Sequence, residues 1–212
     1  MNTIYPFRER HRVYCAGPLF NEPERQEMDL IAAALGHAGF VPFVPHAAGL
    51  EFVKVQPYLS ENAATATRLL NKAIFAVDVY QLVLGCGSLV LNMNGRVPDE
   101  GAVAEAAMAW GLGKPVVIYK ADDRTSVAGD DNPLVIGMSE FETIDNINDL
   151  GTAVACRFDD FDHGHYATGV PCSDYLAETL RVGSCLWSRL QELGDSRPAN
   201  VVADTILQVF GK

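Results

Sequence analysis

The chain has no run of about 18 apolar residues, the length a membrane-spanning helix needs. It is poor in positive charge, with 16 lysines and arginines against 27 aspartates and glutamates and a formal net charge of -11. A nucleic-acid binder must replace phosphate counterions and so carries a basic patch. The nearest approach to one, Arg8, Arg10 and Arg12, sits at the start of the chain beside acidic neighbours. Neither nucleic acid nor an anionic membrane surface is therefore expected as a partner. Cysteine is sparse and odd in number, with Cys15, Cys86, Cys156, Cys172 and Cys185 and no C-x-x-C pair. That argues against a disulfide framework or a structural zinc, and predicts reduced thiols in a cytoplasmic protein. Residues 1–12 are charged and lack a long apolar core, so they do not read as a signal peptide. Walker A, G-x-S-x-G and H-E-x-x-H are all missing. Gly85-Cys86-Gly87 precedes a strand, where a dinucleotide fingerprint would follow one. His163 and His165 stand in an Asp-rich run that reads as a solvated loop, so no metal site is expected.

What is present is a chain of 212 residues, 49% hydrophobic and 20% charged, enough for a sizeable core in one domain. The charge balance favours neutral small molecules or protein partners. Strand and helix signals alternate from about residue 12 to 155. A strand over 12–17 is followed by a helix with Asn21 as N-cap, Glu24 as its capping-box partner and Pro23 in the first turn, running to Gly39. A strand at 40–44 holds Pro42, which suits an edge. The spacing then predicts a loop over 46–60, a long helix over 61–84 and a strand over 88–92. A helix over 99–112 closes at Gly113, and further strands are expected at 115–119 and near 142–144. From Arg157 a loop is expected, then helices near 173–193 and 199–210. The pattern predicts an α/β fold: a single-domain flavodoxin-like or Rossmann-like parallel sheet of about five strands flanked by helices, with a C-terminal helical extension. Residues 12–150 form the expected α/β domain, and 151–212 the extension packed on it. In such sheets ligands bind beyond the carboxyl ends of the strands. That points to 14–20, 46–50, 92–105 and 121–132.

Within those segments a few residues stand out. Glu105 is the single charge between Gly101 and Leu112, in a helix apolar nearly all round, so most of this helix is expected to be buried in the sheet or at a subunit interface. A carboxylate there is either paired or functional, or occupies the one exposed patch, and the residues alone leave both open. Gly101, four residues earlier on the same face, leaves room for a ligand. Asp78 is a second lone acid, within Ile74-Phe75-Ala76-Val77-Asp78-Val79-Tyr80. Asp99 precedes the Glu105 helix, where capping alone would account for it. Tyr14 ends the first strand and could orient a carboxylate. Asn132, before Pro133, is by itself a turn residue.

In order and spacing these pieces resemble the nucleoside 2-deoxyribosyltransferase family over about residues 12–137. Val13-Tyr14-Cys15-Ala16-Gly17-Pro18-Leu19-Phe20 is similar to its opening strand and loop. Asp99-Glu100-Gly101-Ala102-Val103-Ala104-Glu105, followed by Gly113-Lys114-Pro115-Val116, is similar to its catalytic segment. The resemblance implies that Glu105 is the nucleophile on the anomeric carbon, that Tyr14 holds it and that Asp78 handles the proton of the base. It implies that Asp99 binds the sugar 5-hydroxyl and that Asn132 reaches it from a neighbouring subunit, in a homo-oligomer (dimer or higher) with a shared active site. Gly17, Phe20 and Gly101 would line the substrate. Deoxynucleosides and free nucleobases would be the partners, and no cofactor, metal included, would be needed. Close relatives hydrolyse 2-deoxynucleoside 5-monophosphates and carry serines where phosphate is held. Here Asp99 and Asn132 take those places, and a carboxylate repels phosphate. A non-catalytic nucleoside or nucleotide sensor on the same fold is the remaining alternative. The chain departs from the pattern at Gly85-Cys86-Gly87-Ser88, where the family often has an acid, at the loop 46–51, and in its longer segment after 150.

Overall fold

The computed structural model describes residues 2–4, 10–48, 50, 52–95, 98–122, 131–162, 170–194 and 197–210. These residues divide into two compact units, one holding residues 5–44 and 82–170, the other 1–4, 45–81 and 171–212. Along the chain run β1 (Asn2–Ile4), β2 (Arg12–Ala16), α1 (Glu22–His37), β3 (Val41–Phe43), α2 (Phe52–Leu59), α3 (Ala63–Tyr80), β4 (Ser88–Asn92) and α4 (Glu100–Gly111). They are followed by β5 (Val116–Tyr119), α5 (Pro133–Ile136), β6 (Thr143–Ile144), α6 (Leu150–Asp162), β7 (Val170–Cys172), α7 (Asp174–Glu192) and α8 (Ala199–Phe210).

The first unit is built on a five-stranded, all-parallel sheet of order β3-β2-β4-β5-β6. This is the flavodoxin-like order, which changes direction beside its first strand. β2 and β4 are central and buried on both faces, as parallel strands must be. Their side chains alternate. Val13, Cys15, Val90, Val117 and Tyr119 join Met28, Ile31 and Leu35 of α1 and Leu150, Val154 and Phe158 of α6 in one core. Tyr14, Leu89, Leu91 and Ile118 are equally buried and face the other way. Each large apolar side chain so buried contributes at most about 1.5–3 kcal/mol. Pro42 falls on the edge strand β3, where its missing N–H costs no ladder bond.

The local signals at α1 are met in detail. Asn21 accepts from the Glu24 N–H at 3.0 Å, and the Glu24 carboxylate accepts from the Asn21 N–H at 3.3 Å. Gly39 and Gly113, beyond the ends of α1 and α4, take positive φ values of 89° and 66°, which only glycine adopts without strain.

Three stretches differ from the sequence expectation. Residues 46–60, expected as loop, contain a 3₁₀ turn (Pro45–Ala48) and α2. Pro57 and the valines hide this helix from a propensity reading, but Val55 and Leu59 are buried at helical spacing, and tertiary packing decides. The start of the loop expected from Arg157, as far as Asp162, is instead the second half of α6, where Leu150, Val154 and Phe158 make a buried stripe. His163 and His165 lie outside the described residues. β1 and β7 form a separate two-stranded sheet, too short to show a periodicity in sequence.

In the second unit α2, α3, α7 and α8 pack together around Val55, Leu70, Ala73, Leu186, Val202 and Ile206. Gly183 of α7 lies against α3 so closely that a Cβ would collide with the Ala76 carbonyl oxygen and come within 2.6 Å of Tyr80 Cβ. Replacing Gly183 with Ala forces the helices apart. We expect about 1–3 kcal/mol of destabilisation in urea unfolding, and a midpoint equal to that of the wild type would refute this close approach.

Candidate functional site

The alternation along β2 sends Tyr14 to the opposite face from Val13 and Cys15. That is the face on which α4 lies against β2 and β4. Tyr14 is completely buried, its ring tilted against Phe43 with centroids 5.2 Å apart. Its hydroxyl donates to Glu105 Oε1 at 2.7 Å. The length is that of a hydrogen bond to a charged acceptor, about twice as strong as a neutral one. A strand and a helix distant in sequence thus fix one carboxylate oxygen.

The rest of α4 explains how Glu105 is presented. Asp99 is the N-cap, its Oδ2 accepting from the Ala102 N–H at 2.7 Å. Its other oxygen has no hydrogen-bond partner among the described residues. Gly101 is exposed, and a Cβ there would stand 3.1 Å from Asp99 Oδ2, so glycine leaves the cap carboxylate uncrowded. Within the chain itself the sheet buries only part of this helix. Ala102, Ala106 and Ala109 make one buried stripe, while Met108 and Trp110 are exposed. Alanine and glycine make the helix look uniformly apolar in sequence, yet only the stripe against the sheet leaves water.

Gly17 ends β2 where a Cβ would run into Met28 Sδ and come within 2.9 Å of Asn92 Cβ. It lets α1 close on the strand ends. Phe20 has an exposed ring, and its backbone N–H donates to Glu24 at 2.7 Å. Asn132 is exposed and caps α5 by accepting from the Leu134 N–H at 2.9 Å. Asp78 belongs to α3, in the second unit. It is partly buried, and desolvation pushes its carboxyl up to about 7.

The sequence reading missed a polar cluster at the carboxyl ends of β4 and β5. Glu27 accepts from the side-chain amides of Asn92 (2.9 Å) and Asn94 (2.6 Å). Lys120, nearly buried, pairs with Asp122 at 2.9 Å and lies 3.8 Å from Asp131. The segments carrying the asparagines, Asp122 and Asp131 were marked by strand-end position, and Lys120 stands just before one of them. Glu27 looked like any surface acid of α1. Lys114 is buried too, and its ammonium donates to the carbonyls of Val83 (3.0 Å) and Cys86. With Arg12, which donates to the Gly85 carbonyl at 2.6 Å, it satisfies the end of the π-helical segment Gln81–Gly85 leading into β4. Among the described residues no group of three or more potential metal ligands occurs, and no helix is long and apolar enough to cross a membrane.

Sheet order and a phenol-held carboxylate define an α/β protein of flavodoxin-like fold with Glu105 as its candidate functional group. Residues 13–156 match the model of the family described as nucleoside 2-deoxyribosyltransferase, and the chain belongs to that family. It is accordingly a deoxyribosyltransferase-like enzyme. Among solved structures it is similar to a conserved protein from Enterococcus faecalis V583, with 17% identity, 69% of this chain and 98% of that one covered, and a TM-score of 0.46. It is also similar to a 2-desoxiribosyltransferase from Leishmania mexicana, with 16% identity, 73% and 98% covered, and a TM-score of 0.39. No curated protein matches the chain.

The raised Asp78 carboxyl has a consequence for stability. Below about pH 3.8 the group is protonated folded or unfolded and contributes nothing. As pH rises from 3.8 to about 7, the unfolded chain releases the proton first, so stability falls, and above 7 the whole cost is present. Asp78→Asn is therefore expected to be more stable than wild type at pH 8, on the order of 2 kcal/mol after allowance for solvent screening. The gap should close toward pH 4 in denaturant titrations; a gap that widens toward acid would contradict the assignment.

Proposed function

We propose that this protein transfers 2-deoxyribose from a deoxynucleoside to an acceptor nucleobase through a covalent ester on Glu105. The observation that carries the reading is the 2.7 Å hydrogen bond from Tyr14 to Glu105, in a chain of the nucleoside 2-deoxyribosyltransferase family. A Glu105 carboxylate oxygen attacks the anomeric carbon as the glycosidic C–N bond breaks, and its electron pair leaves with the base. The transition state has oxocarbenium character, which an adjacent carboxylate stabilises and then captures. Asp78 gives its proton to the departing base. It enters on two grounds of its own: its place in the family pattern, and a carboxyl that stays half protonated near pH 7. The acceptor base then attacks the same carbon, the ester C–O bond breaks, Glu105 regains its charge and Asp78 regains a proton. Two inversions give overall retention. Water in place of the acceptor gives hydrolysis as a side activity.

Asp99 would take the 5-hydroxyl of the sugar with the oxygen its capping bond leaves over. Asn132 would approach from a neighbouring subunit of a homo-oligomer, and Gly17, Phe20 and Gly101 would line the substrate. A carboxylate at Asp99 favours a nucleoside over a nucleotide, which sets hydrolysis of deoxynucleoside monophosphates second. The role fits nucleoside salvage in the cytoplasm, with deoxynucleosides and free nucleobases as partners and no cofactor.

Incubation with deoxyinosine and adenine is expected to yield deoxyadenosine, and Glu105→Ala to abolish it. Without acceptor, intact-mass measurement should show wild type, but not the variant, gaining one deoxyribosyl group. Turnover of deoxynucleoside monophosphate with none of any nucleoside would overturn the transferase reading. Tyr14→Phe removes one hydrogen bond to a charged group, so kcat is expected to fall about 10–100-fold. Transfer should also decline above about pH 7 in wild type, and an Asp78→Asn variant with full activity and the same decline would remove Asp78 from the proton path.

A further inference from the structure

The second unit carries an open groove of about 530 Å³, lined by Ala64, Thr67, Arg68, Asn71, Lys72 and Phe75 of α3 together with Tyr175 of α7. Its size lies within the range of small-molecule sites. Two features set it apart from ordinary surface. Arg68 and Lys72 stand four apart on one helical face, a like-charge pairing that weakens a helix. In a chain of net charge -11 neither makes an ion pair among the described residues. Beside them Phe75 and Tyr175 are stacked, ring centroids 6.5 Å apart and 21° from parallel, yet 47% and 72% exposed. Aromatic rings left in water beside unpaired cations are the pairing by which proteins hold a base and its phosphate. The acid nearest in sequence to Tyr175, Asp174, does not line the groove, and Glu178, one turn further along α7, is held by Arg181 at 2.7 Å.

We propose that this groove binds a nucleoside phosphate. The base stacks on Phe75 and Tyr175, the phosphate meets Arg68 and Lys72, and the Asn71 carboxamide is placed to hydrogen-bond the base or sugar. Every lining residue comes from α3 and α7, so the site uses none of Tyr14, Asp99 and Glu105 and stands whether or not those residues perform sugar transfer. The guanidinium supplies a fork that matches phosphate oxygens, and the lysine a mobile point charge beside it.

Calorimetric titration of the full chain with AMP tests the site, with adenosine and inorganic phosphate as separate probes. AMP is expected to bind more tightly than either fragment. Arg68→Ala combined with Lys72→Ala should weaken AMP at least tenfold while leaving adenosine unchanged, and Tyr175→Ala should weaken AMP and adenosine alike. All three side chains line an open groove and anchor no described core, so the variants should unfold at the wild-type temperature, which a thermal melt checks. No AMP binding by the wild type, or AMP affinity unaltered by both sets of substitutions, overturns the proposal.

Discussion

The two-residue period of one strand governs the site. β2 lies in the middle of a sheet buried on both faces, so each of its side chains must enter one core or the other. Val13 and Cys15 fill the layer against α1 and α6, which leaves Tyr14 to the α4 side, with a polar tip to satisfy in a dry place. Glu105 satisfies it. The bond works both ways: an unpaired buried phenol would be costly, and a half-buried carboxylate gains a fixed direction. A slip of one residue in the β2 register would put Tyr14 in the wrong layer and leave Glu105 without its anchor.

The other constraint is the entry into β4. A π-helical segment ends just before that strand, and its last carbonyls point into a region without water. Two cations from elsewhere in the chain, Arg12 and Lys114, satisfy them. A fully buried lysine is rare unless paired, and here its bonds to the Val83 and Cys86 carbonyls tie the segment entering β4 to the loop before β5. Burial also pushes the Cys86 thiol in this region up to about 12, so it acts as a small apolar group and not as a nucleophile. The chemistry proposed for the molecule therefore rests on carboxylates and a phenol. Its five cysteines are all free, and Cys15, Cys86 and Cys172 among them are packed in the interior.

Much of the architecture was legible because it is written in local physics. The Asn21–Glu24 capping box, the glycines after α1 and α4, the edge-strand proline and the uninterrupted apolar run of β4 each act over a few residues, and each is found where the pattern puts it. Elements stabilised by distant partners were not legible in that way. α2 holds a proline and β-branched residues, and forms because Val55 and Leu59 have α3 and α8 to pack against. The end of α6 carries acids that read as solvated loop, while Phe158 anchors it to the sheet.

The same division holds at the site. The sequence by itself determined which residues were candidates, because a lone acid in an apolar helix and a tyrosine at a strand end are anomalies visible without coordinates. It also determined the order along the chain of the five strands of the parallel sheet, since hydrophobic period is a local property. Only the tertiary structure decided that Tyr14 and Glu105 meet at hydrogen-bond distance across 91 residues of chain. Only there do Glu27 and the strand-end asparagines join in one cluster, and Arg68 and Lys72, without an ion pair among the described residues, stand beside two stacked rings. Those outcomes depend on which faces of separate elements are packed together, and no short-range pattern encodes that.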